Sequence, residues 1–188
     1  MNLIRNSPKP LRLPPLDVVL DMARLPQCAQ CDKPVDPTPP TPGQASWKVG
    51  TYQVKFLKPR IFTSKHLDTY ADIYHDFKFN SRTRTATLSL RREWGTYAYN
   101  HQDMPPVDRR GQPLLGKTIK EHEAGHTNDL LKIISIRQPL PNITNAEYVK
   151  FMNHTQRLLK VCTEYHYDNK VPKGPLAKEC QGLLNWKP

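Results

Sequence analysis

The chain has 188 residues, enough to bury a proper core, and its 37% of apolar residues is low but sufficient for one globular domain. It contains no run of 18 apolar residues, which excludes a conventional membrane-spanning helix. The 28 Lys+Arg outnumber the 17 Asp+Glu, giving a formal charge of +11 that suits anionic polymers or surfaces. The basic residues are scattered, however. Arg82, Arg84, Arg91, Arg92, Arg109 and Arg110 come nearest to a cluster, and no nucleic-acid-binding motif accompanies them, so nucleic acid is not the expected partner. A solvated basic face, an anionic cell-wall polymer, a membrane surface or an acidic protein remain.

Nine of the nineteen prolines concentrate in residues 8–15 and 34–42. Residues 1–46 therefore read as a Pro-rich arm with one short helix near residues 16–24, and residues 47–188 as the compact domain. The N-terminus carries no apolar signal segment, so export requires either a leader already removed or another route. Cys28 and Cys31 have Cys-x-x-Cys spacing, but no second pair matches it, so a zinc knuckle is weakly supported.

Periodicity two begins after Trp47. Residues 52–56 alternate, residues 83–90 alternate and are β-branched, and Asn80-Ser81 ahead of them reads as a turn. Residues 66–74 read as a short helix or a connection. Residues 83–90 are expected to be either an ordinary core strand or an edge strand able to hold an extended peptide by strand addition.

Residues 117–136 then switch to a helical period. Ile119, His122, Glu123, His126, Leu130, Ile133 and Ile134 share one stripe of roughly 100°, the width of a core-facing surface. His122 and His126 lie about 40° apart on it, so both imidazoles can reach one ion. The pentapeptide His122-Glu123-Ala124-Gly125-His126 is the pattern of zinc hydrolases. In such a site zinc keeps one coordination position for water, and the glutamate takes a proton from that water as it attacks a carbonyl. Buried without a metal, the three polar residues would cost several kcal/mol, roughly; a partly exposed helix with two surface histidines is the competing reading. Gly125 in mid-helix costs about 1 kcal/mol against alanine, which calls for another element to approach there.

Residues 139–142 break the chain, and Asn142 or Thr144 can cap a second, antiparallel helix running to about residue 165. It or the segment just beyond should supply the third metal ligand, with Glu147, His154, His166 and Asp168 as candidates. Asp129 shares the face of the histidines but sits seven positions past His122, about 10 Å along the axis, too far for one ion to meet all three. Cys162 and Cys180 would close a modest loop of the kind found bridged in exported proteins, although the sequence leaves the pairing of the four cysteines open.

The Thr- and Leu-rich strand, the Trp94-Gly95-x-Tyr97 stretch, Glu121 with the His-Glu-x-x-His core, and Tyr167-Asp168 ahead of Gly174 together resemble the bacterial family of predicted secreted zinc-dependent proteases. That family's closing pattern, Tyr-Asp-x-x-Thr-x-His-Gly, is matched at Tyr167, Asp168 and Gly174, while Val171 and Lys173 stand where Thr and His would be. The resemblance implies that Asp168 either binds zinc or supports its ligands and that Tyr167 stabilises an oxyanion; His154 is next in line because an antiparallel register about residue 140 sets it opposite His126. The expected fold is α+β and zincin-like: a small antiparallel or mixed sheet packed on the His-Glu-x-x-His helix and a second antiparallel helix. The expected activity is a secreted or periplasmic zinc metallopeptidase with Glu123 as general base, acting on peptide, protein or cell-wall peptide. A cell-wall amidase or endopeptidase, and a non-catalytic zinc-stabilised binding or toxin module, are the alternatives.

Overall fold

The computed structural model describes residues 45–168 and 174–185. Residues 1–44 of the Pro-rich arm, with its expected helix, Cys28 and Cys31, lie outside these residues, as do Val171 and Lys173.

Strands β1 (Ala45–Val49) and β2 (Tyr52–Phe56) form an antiparallel hairpin. Gly50 turns it at φ +57, a left-handed conformation that glycine adopts without steric cost. Tyr52, Val54 and Phe56 point into the core and Gln53 and Lys55 away from it, the alternation expected of these residues. After a three-residue β3 (Arg60–Phe62) and one 3-10 turn (Lys65–Leu67) comes β4 (Ala71–Asn80), then β5 (Thr85–Gly95). The turn between β4 and β5 is an Asx turn: Asn80 Oδ1 accepts from the backbone N–H groups of Arg82 and Thr83.

β5 organises the sheet. On one side it pairs in parallel with β2 and, further along, with β3; on the other it pairs antiparallel with β4 along that strand's whole length. The edge role considered for residues 83–90 is therefore corrected, because β5 is hydrogen-bonded on both sides; among the described residues β4 pairs with β5 alone and β1 with β2 alone. The reading of residues 66–74 changes as well: only the 3-10 turn is helical, and the strand begins at Ala71. β4 hides from a periodicity reading because His75 interrupts its inward row of Ile73, Phe77 and Phe79, while Asp72, Tyr74 and Lys78 face outward.

Ile73, Phe77, Leu88 and Leu90 of the sheet pack against Leu130, Ile133 and Ile134 of α2 (Ile119–Ile136) and Tyr148, Met152, Leu158 and Leu159 of α3 (Asn145–Tyr165). A five-residue helix, α1 (Thr96–Asn100), follows β5 directly. The architecture is α+β, with a mixed sheet. Thr118 caps α2 by accepting from Glu121 N–H. Of the two caps considered for α3, Thr144 serves, in a capping box closed by Glu147. Among the described residues no helix is long and apolar enough to cross a membrane.

The sequence reading had no helix after α3, yet α4 (Pro175–Leu184) forms there, with Pro175 in its first turn. It is tied down by a Cys162–Cys180 disulfide, by Glu179 between Arg137 and His154, and by Lys132 Nζ donating to Leu184 O. Closing a loop of that length is worth about 3 kcal/mol on the chain-entropy model. Reduction is expected to lower the thermal midpoint by roughly 6–12 °C. Calorimetry with and without reductant checks this, and an unchanged midpoint would show that the helices hold without the bridge.

Candidate metal centre

α2 presents His122 and His126 on its buried face, at 4% and 7% exposure. The chain leaves α3 at Tyr165 and turns back over α2, bringing Asp168 to both imidazoles. Asp168 Oδ1 lies 3.4 Å from His122 Nε2 and 3.6 Å from His126 Nε2, and the two Nε2 atoms are 3.2 Å apart. Zinc bonds of about 2.0–2.1 Å in a tetrahedron place neighbouring donors roughly 3.3 Å apart, so the triangle has the size of one metal's ligand set. Of the third-ligand candidates the structure brings Asp168 to both histidines, and among the described residues this trio could hold a metal ion.

Hydrogen bonding supports the same conclusion. Leu115 O accepts from His122 Nδ1 at 2.9 Å, which keeps the proton on Nδ1 and leaves Nε2 with its lone pair facing the other two donors. With a lone pair on His126 Nε2 as well, two imidazoles and a carboxylate would face each other, an arrangement that a cation among them relieves. Among the described residues His126 Nδ1 and Glu123 Oε2 are buried with no hydrogen-bond partner, an arrangement that costs free energy in a finished core.

Glu123 is 3% exposed beside the pair. Burial pushes its carboxyl up to about 7, against the pull of His126 and His122 and of Arg92 on β5, with Asp72 on β4 reinforcing the rise. Burial works against a charge on His126, but Asp168, Glu123 and Asp129 outweigh it and raise its pKa.

Tyr167 lies across the centre. Its ring centroid is 5.8 Å from that of His122 and 5.5 Å from that of His126, and a Cβ at Gly125 would overlap the ring. The mid-helix glycine thus makes room for Tyr167. Gly125→Ala is expected to destabilise the protein by about 1–3 kcal/mol through overpacking, despite alanine's better helix propensity. Gly182→Ala in α4, where a Cβ meets nothing within 4 Å, should be neutral or stabilising. Thermal unfolding of the two variants checks the contrast, and equal behaviour would remove the steric account of Gly125.

The other candidates have different partners. His154 Nε2 pairs with Glu179 at 2.8 Å, Glu147 closes the cap of α3, and His166 Nδ1 pairs with Asp129 at 2.7 Å. Sequence reasoning missed the carbonyl of Leu115, since a backbone acceptor leaves no residue-type signal, and it missed the Asp129–His166 pair. Asp129 was visible only as a polar residue on the apolar stripe.

No family model, curated protein or solved structure matches this chain.

Proposed function

We propose that this protein is a zinc metallopeptidase of zincin type, a reading carried by the His122–His126–Asp168 donor triangle with a buried glutamate beside it. Zinc bound there would polarise a scissile carbonyl and bring the pKa of a water to near 7, roughly nine units below bulk. His122, His126 and Asp168 would hold the ion. Glu123 takes the proton of the attacking water and delivers it to the departing amine, a shuttle that a carboxyl poised near neutrality performs well. Tyr167, packed on both imidazoles, is the candidate donor to the oxyanion. The edge of β4 that no other strand pairs among the described residues is suited to holding an extended peptide by strand addition, and the effect of Asp72 on Glu123 supports a start of that strand near the site. Three protein donors among the described residues, rather than four, favour catalysis over a purely structural ion.

The disulfide suits work outside the cytoplasm, where such bonds persist. The charge of +11 gives a second reading some support, an amidase or endopeptidase acting on peptide within an anionic cell wall.

The test is to load the purified chain with zinc, incubate it with unfolded proteins and with cell-wall peptide, and map new termini by mass spectrometry. Cleavage blocked by a chelator and restored by zinc is expected. Zinc bound at one equivalent with no cleavage of either substrate would exclude the peptidase and leave a binding module; cleavage of cell-wall peptide alone would favour the second reading.

A further inference from the structure

Asp168 has left α3 before it reaches the histidines, so helical register cannot place its carboxylate. Residues 166–168 instead run back along α2 toward its N-terminus: His166 meets Asp129, Tyr167 seats over Gly125, and Asp168 reaches His126 and His122. Tyr167 O also accepts from Leu115 N–H, whose own carbonyl orients His122. The first of these contacts is the best formed. His166 Nδ1 donates to Asp129 Oδ2 at 2.7 Å, with the two side chains 20% and 7% exposed. Asp129 stands one turn beyond His126 on the same buried face, too far along the axis to share an ion with His122.

Resting on the metal-centre reading above, we propose that Asp129 and His166 are positioning residues: their buried hydrogen bond fastens the segment so that Asp168 is held in place to complete the ligand set. Without it, the turn after α3 loses its anchor nearest the helix end. Asp168 then has to be ordered at the expense of binding. Partners that orient metal ligands typically change metal affinity by about 10–100-fold when removed, and that is the loss expected here.

Zinc affinity of the full chain, measured by competition with a chelator, tests this with the metal alone. Wild type should take up one equivalent. Asp129→Ala and His166→Ala should each weaken zinc about 10–100-fold, while Asp129→Asn and His166→Asn, which keep an acceptor or a donor at the same place, should recover most of it. In an Asp168→Ala background, Asp129→Ala should cost no more than about twofold, because a residue acting through Asp168 has nothing left to position. Should Asp129→Ala fail to fold, the same cycle with His166→Ala decides. Three results would each overturn the proposal: Asp129→Ala binding zinc as tightly as wild type, the same factor lost in the Asp168→Ala background, or Asp129→Asn losing as much as Asp129→Ala. Wild type that takes up no zinc would instead remove the metal-centre reading itself.

Discussion

Glu123→Gln is expected to abolish most hydrolysis while leaving zinc in place. The amide keeps the shape of the side chain at a position only 3% exposed, so the helix face and the His122–His126–Asp168 triangle should persist. What disappears is the proton acceptor. A positioned general base is worth about 10²–10⁴-fold, so kcat/KM should fall by that factor with zinc content near one equivalent. The two measurements belong together. Activity within a few-fold of wild type would exclude Glu123 as the base, whereas loss of zinc alongside activity would show that the carboxylate supports the ligands.

Replacing both His122 and His126 with alanine should remove zinc altogether. Both donor nitrogens come from one helix face, and a lone Asp168, 27% exposed, makes a poor site. The same variant separates binding from folding. Zinc at 1,000 times its Kd stabilises a protein that binds it only when folded by about 4 kcal/mol. That gain should be present in wild type and absent from the variant, read as the shift of the thermal midpoint on adding zinc. A double variant that still shifts, or still carries one equivalent, would place the metal elsewhere.

Local rules made the helical part of the fold readable in advance. The stripe of Ile119, Leu130, Ile133 and Ile134 with His122, Glu123 and His126 is set by a period of 3.6 residues, and Thr144, one of two caps the sequence offers, starts a helix through hydrogen bonds made within four residues. β2 and most of β5 were legible for the same reason, since alternation is a property of neighbours in the chain. β4 was not, because His75 stands in its inward row, and α4 was not, because its burial depends on a bridge to Cys162 and contacts with α2 and α3.

The sequence by itself determined that two imidazoles and a carboxylate would share one buried helix face, because residues three and four apart on a helix are neighbours whatever surrounds them. Gly125 was legible as a place of close approach on the same ground. Only the tertiary structure decided what approaches it. Asp168, Tyr167 and His166 meet α2 across a separation of about 40 residues through a turn whose path depends on where α3 packs and on the Asp129 contact. The sheet divides in the same way. Its strand-forming residues could be read from the chain, but the choice of β5 as centre and β4 as edge rests on backbone pairing between distant segments, to which no single segment's periodicity testifies.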